Sequence, residues 1–149
     1  MAKKFNFRLQ PVLKYRAFQA SQAENELGRI VARRIEKERG ITERMEYIGK
    51  LNKSDQKFKR AADFQAMIHH KNHVRAEIKK LNKERQQLEE IENLRRQKLT
   101  EAMRKEKALE KLKEKKLKQY KKETDREETE FLDELSIKNH RKADNPFSE

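Results

Sequence analysis

Residues 74–112, VRAEIKKLNKERQQLEEIENLRRQKLTEAMRKEKALEKL, carry the pattern on which the fold turns. Val74, Ile78, Leu81, Leu88, Ile91, Leu94, Leu99, Ala102, Leu109 and Leu112 recur at helical spacings, and Lys, Arg, Glu and Gln fill most positions between them. Such spacing lines the apolar side chains along one stripe of an α-helix and leaves the other faces to water. No proline or glycine interrupts the stretch, so the helix runs through it. A stripe this narrow on so polar a helix needs a second helix to cover it.

Upstream the stripe includes Phe64 and Met67, and downstream it drifts through Tyr120 to Phe131 and Leu135, predicting a helix over 64–140. A first helix is predicted over 11–52, opened by Pro11 and striped by Leu13, Ala20, Ala23, Leu27, Ile30, Val31, Ile41, Met45 and Ile48. Arg34, Lys37 and Glu38 interrupt that stripe, and Gly40 costs a helix about 1 kcal/mol, so its middle is expected to be its weakest part. Between Asn52 and Ala62 the apolar period lapses. Asn52, Ser54 and Asp55 offer turn chemistry and Asp63 a helix cap, which puts the chain reversal at 53–63. Residues 1–10 are expected to be an N-terminal segment and 141–149 a disordered tail.

The expected fold class is therefore all-α, a long antiparallel two-helix coiled-coil hairpin with a longer second helix. At ~1.5 Å per residue the helices measure roughly 60 Å and on the order of 110 Å. The first should run out near residue 105 of the second, leaving an overhang that holds a lysine-rich stretch from Arg104 to Lys122 and an acidic one from Glu123 to Glu134.

Composition agrees with an extended helical chain: 44% of residues are charged and 34% hydrophobic, far from the balance of a compact domain. Disorder is the competing reading, but a disordered chain has no reason to space its aliphatic residues in heptads. Without cysteine there is neither a disulfide framework nor a thiolate metal site. Arg8, Gln10, Lys14 and Arg16 break up any signal-peptide core, and no run approaches membrane-spanning length. A cytoplasmic location is expected, with no direct membrane insertion.

Few residues suggest chemistry. His69 and His73 share a helical face with Glu77, but a fourth ligand is missing and His70 stands where a zincin has Glu. Ser21, Ser54, Ser136 and Ser148 are isolated, and the pairs Glu127–Glu128 and Asp133–Glu134 have no pocket to raise a pKa. No catalytic residue, metal site or cofactor is expected. The net charge of +13 attracts anionic surfaces, yet Lys111, Lys113, Lys115, Lys116, Lys118, Lys121 and Lys122 go all round the helix, with no Asn or aromatic interleaved at the base-reading spacing of a zipper-type DNA reader. Specific nucleic-acid recognition is not expected. A basic face offered to an acidic protein surface is favoured. The aromatic residues gather in two groups, Phe5, Phe7, Tyr15 and Phe18 in one and Tyr47, Phe58 and Phe64 in the other, as candidate anchors for partners.

The run Phe5-x-Phe7-Arg8-Leu9-x-x-Val12-Leu13-x-x-Arg16 resembles the opening pattern of the flagellar FliJ family of coiled-coil export proteins. Leu109-Glu110-Lys111-Leu112-Lys113-Glu114-Lys115, then Tyr120, Glu127 and Asp133-Glu134, follow in the order seen in many members. The resemblance implies a non-enzymatic stalk of the flagellar type III export apparatus. It would insert the end carrying its termini into the hexameric export ATPase FliI, promote ring assembly and activity, and bind the cytoplasmic domain of the export-gate protein FlhA, with FliH and export chaperones as further partners. It would thus sit at the cytoplasmic face of the inner membrane through the apparatus.

Transferred residue by residue, the ring contact falls on Phe5, Phe7, Leu9, Leu13, Arg16, Leu112, Tyr120 and Glu127, and the gate contact on Tyr47, Leu51, Phe64 and Met67. The alternatives are an injectisome-type secretion stalk and a generic basic coiled coil that binds nucleic acid.

Overall fold

The computed structural model describes residues 3–54 and 60–144. They form two helices, α1 (Gln10–Ser54) and α2 (Ala61–Ala143), and no strand is present among them. The fold is an all-α helical hairpin with the longer helix second. Two compact units divide the chain: Phe18–Met103, and the first 17 residues together with the chain from Arg104 onward. Both helices contribute to each unit.

The ends of the helices obey local chemistry and shift several expected boundaries. The Leu9 carbonyl accepts from the Leu13 amide at 2.9 Å, so Pro11 falls in the first turn, where its missing N–H costs nothing. At the other end α1 continues through Asn52 to Ser54, whose hydroxyl donates to the Leu51 carbonyl at 2.8 Å. Asn52 and Ser54 thus close a helix, and Asp55 and Phe58, also assigned to the turn region, lie outside the described residues. Helix α2 opens with the Phe64 amide donating to the Arg60 carbonyl at 3.2 Å. Asp63 is consequently inside the first turn, where its charge favours the helix dipole, and not at the cap. The last turn carries His140, Arg141 and Lys142, the sign the dipole prefers, so 141–143 are helical where a disordered tail was expected.

In the Phe18–Met103 unit the pairing is antiparallel. As α1 numbers rise through Glu26, Arg34, Lys37, Arg44 and Tyr47, their α2 partners fall through Arg95, Glu92, Glu84, Glu77 and His70. The apolar core is small, with Ala20, Ala23, Ile41 and Val74 buried. Leu27, Ile30, Val31, Ile78, Leu81 and Leu88 are half-buried, and ion pairs join the two helices beside them: Arg34 Nε to Glu92 Oε2 at 2.6 Å, Lys37 Nζ to Glu84 Oε2 at 2.8 Å, Arg44 Nε to Glu77 Oε2 at 3.0 Å and Arg95 Nη1 to Glu26 Oε2 at 2.8 Å. Of the charges expected to interrupt the α1 stripe, Arg34 and Lys37 therefore reach across to α2, while Glu38 pairs with Arg34 on its own helix. On α2, Glu92 is buried while Ile91 and Leu94, expected on the stripe, are exposed, as is Met45 on α1. Gly40 also gains a role, for a Cβ there would stand 3.3 Å from Arg44 Nη1, which donates to the Gly40 carbonyl.

The other unit is built differently. Residues 3–7 are non-helical and lead through a turn at 8–9 into α1, and Phe7 and Leu13 are its buried apolar residues. The segment 3–9 lies beside α2 from Leu112 to Glu127, so coverage of α2 continues well beyond residue 105. From Asp125 to Asp144 every described residue is exposed, Phe131 and Leu135 included.

Candidate functional site

The N-terminal segment and α2 form a groove lined by Lys3, Lys4, Phe5, Asn6, Phe7, Arg8 and Leu9 on one side and Leu112, Lys116, Gln119, Tyr120, Glu123, Thr124 and Glu127 on the other. A non-helical backbone leaves amides and carbonyls without intrahelical partners, and a neighbouring side chain can satisfy them. Tyr120 does so, donating its hydroxyl to the Lys3 carbonyl, while its ring meets Phe5 with centroids 5.5 Å apart and planes tilted by 49°. One turn on, the Thr124 hydroxyl donates to the Tyr120 carbonyl at 2.8 Å.

Six of the eight residues assigned to a ring contact, Phe5, Phe7, Leu9, Leu112, Tyr120 and Glu127, line this groove. The other two lie on the first turns of α1, Leu13 buried and Arg16 half-buried. Their exposures divide them by what they can do. Phe7 and Leu13 fix the segment from within, whereas Phe5, Leu9, Leu112 and Tyr120 are half-exposed and Glu127 is exposed. Sequence reasoning missed Lys116, Gln119, Glu123 and Thr124, which complete the α2 side of the groove. Val12 and Tyr15 are exposed beside it in sequence, at 41% and 56%.

The four residues assigned to a gate contact belong to the Phe18–Met103 unit. Tyr47 and Phe64 are exposed and Leu51 and Met67 half-buried. Tyr47 is engaged within the hairpin: its hydroxyl lies 2.8 Å from His70 Nε2 and its ring meets the imidazole edge-on at 5.6 Å. His70 is three residues along α2 from Met67, so Tyr47 reaches the α2 turn that also carries Met67. His73 pairs with Glu77 at 3.2 Å, and among the described residues no group of three or more His, Asp or Glu could hold a metal ion.

Electrostatics differ between the units. Glu77, Glu84 and Glu92 are held below the usual carboxylate range, chiefly by hydrogen bonds from Arg44, Lys37 and Arg96 respectively, with Arg34 second on Glu92 and desolvation opposing each. The Arg34 guanidinium is raised in turn, first by Glu92 and then by Glu38. Around the groove, Lys3, Lys4, Arg8 and the lysines of 111–122 are exposed or half-exposed. No described helix is long and apolar enough to cross a membrane.

A family model described as flagellar FliJ protein matches residues 5–145. No curated protein and no solved structure matches significantly.

Proposed function

The chain belongs to the flagellar FliJ family, and from that premise we propose that this flagellar export-related protein is a non-enzymatic stalk of the type III export apparatus. In this reading the groove-bearing unit enters the hexameric export ATPase FliI, promotes assembly and activity of the ring, and leaves the Phe18–Met103 unit to meet the cytoplasmic domain of FlhA. FliH and export chaperones are its further partners, and it is held peripherally at the cytoplasmic face of the inner membrane by the apparatus.

One observation supports this reading above others: residues 3–9 and 112–127, more than a hundred positions apart in sequence, line a single groove. Phe5 and Tyr120 hold the N-terminal segment onto α2, so the segment and this stretch of α2 can present one surface to a sleeve. A stalk needs no catalytic group, only a stiff element of matched shape and charge.

The decisive experiment is ATP hydrolysis by the cognate export ATPase with the full chain and with a truncation ending at Lys105. Stimulation by the full chain and its loss on truncation, with helicity retained in the shortened hairpin, is the expected result. No stimulation at any ratio with both proteins folded would overturn the reading. A second prediction separates the two units: Tyr47→Ala with Met67→Ala should weaken binding to the FlhA domain and leave ATPase stimulation unchanged. If both activities fell together with helicity intact, the division into two contact sites would be wrong.

A further inference from the structure

The exposed end of α2 carries more apolar surface than a solitary helix in water needs. Phe131 is 61% exposed, Leu132 63% and Leu135 40%, and the three fall within about 100° of one another around the helix. The line through Phe131 and Leu135 continues at spacings of three and four to Glu128 and Thr124 on one side and to Lys138 and Lys142 on the other. On this line an acidic residue, Glu128, therefore precedes the apolar patch and two basic residues, Lys138 and Lys142, follow it. A surface ordered acid, apolar, base is complementary to itself turned end for end.

We propose that this segment pairs antiparallel with the same segment of a second copy of the chain. Centred between Phe131 and Leu135, the pairing sets Phe131 of each copy against Leu135 of the other, and Glu128 against Lys138. The flanking positions bring Leu132 against Leu132 and Glu127 against Arg141, with Glu134 meeting its own counterpart as the one like-charge pair. In a parallel arrangement Glu128 would face Glu128 and Lys138 would face Lys138, so the charge order selects the antiparallel one. Three apolar side chains a copy make a smaller contact than a standard interface of roughly 800 Å² per partner, so the pairing is reversible, with a dissociation constant on the order of tens of micromolar. It concerns the free protein and stands independently of the stalk reading. Where α2 also enters a ring, pairing keeps its apolar end covered until then.

The test is sedimentation of the full chain, freed of nucleic acid, over roughly 1 to 300 µM, a range bracketing that affinity. A monomer–dimer equilibrium is expected. Glu128→Lys or Lys138→Glu alone replaces two opposite-charge contacts by two like-charge ones and should weaken the dimer about tenfold or more. The double variant Glu128→Lys with Lys138→Glu restores the pairing, and an equimolar mixture of the two single variants forms heterodimers. Glu134→Gln removes the like-charge contact and tightens the dimer. All these positions are exposed on a helix, so circular dichroism should report an unchanged fold. A monomer across the whole range overturns the proposal, as does a dimer indifferent to the single reversals or not recovered in the double variant.

Discussion

Glu92 occupies a seam position where a leucine would be the simple choice, and its side chain is only 8% exposed. It remains charged because two guanidinium groups flank it, Arg34 from α1 at 2.6 Å and Arg96 from the next turn of α2 at 2.7 Å. Arg34 in turn spans Glu92 and Glu38. Removing the charge of Glu92 leaves Arg34 part-buried with Glu38 as its remaining partner, a cost that replacing both Arg34 and Glu92 with apolar side chains removes. Glu92→Gln should therefore lower the thermal midpoint by several degrees, and Arg34→Leu with Glu92→Leu should return it to the parent value or above. Thermal melts followed by circular dichroism at 222 nm check both, and a double variant as unstable as the single one would show that the pair stabilises beyond its packing. Gly40 makes a related point. Its lack of a side chain weakens α1 in isolation, yet it lets the Arg44 guanidinium lie against the backbone within reach of Glu77.

For the paired helices of the Phe18–Met103 unit, the order of charge fixes the register. Arg34, Lys37 and Arg44 on α1 meet Glu92, Glu84 and Glu77 on α2, and Glu26 meets Arg95 with the signs exchanged. Sliding α2 by one heptad would bring Arg85 to the place of Glu92, opposite Arg34, and Leu88 to the place of Arg95, opposite Glu26. A seam with so few buried aliphatic residues gains its specificity from these mismatches. Their pH dependence follows from the direction of the carboxyl shifts. Glu77, Glu84 and Glu92 have folded pKa values below their ordinary one, so the unfolded chain binds protons more readily. Their contribution is complete above the ordinary carboxylate range and is lost as the pH falls through the folded values. The urea midpoint should accordingly drop between pH 7 and pH 3, and the drop should shrink when all three are changed to Gln. An equal drop in the triple variant would assign acid sensitivity to other groups. The stripe itself was legible from Leu, Ile and Val spacing, which is why two helices and their type were readable in the sequence. What could not be read was that Arg34, Lys37 and Glu92 complete it: a hydropathy pattern scores a charge as an interruption, and only the cross-helix register shows the opposite charge facing it. Hydropathy period did not reveal the pairing of segment 3–9 with α2 either, since that segment is not helical, and the six groove residues assigned from the sequence came from the family resemblance alone.

Taken as a whole, the chain has a net charge of +13, and segments 3–16 and 104–122 hold fifteen Lys and Arg against three Glu, leaving almost none of the excess elsewhere. Many of these cations are exposed lysines on successive faces of α2, so they form a sheath of positive charge more than a face. A sheath attracts any polyanion through counterion release and carries no information about sequence, because positive charge on every face meets phosphates without fixing a register on the bases. The lysine-rich part of α2 is followed at once by Glu123, Asp125, Glu127 and Glu128, which repel phosphate and bound the sheath on one side. The protein should therefore bind random duplex DNA at low salt, lose that binding steeply as salt rises, and show no preference between unrelated sequences. Fluorescence anisotropy with two unrelated duplexes across a salt series measures this directly. Affinities that differ by more than a few-fold between sequences, or that persist at physiological salt, would show that the basic tract recognises nucleic acid. Coincident, steeply falling curves would instead leave the excess charge to a partner that meets the tract with shape as well as charge, as the ring of the proposed function would.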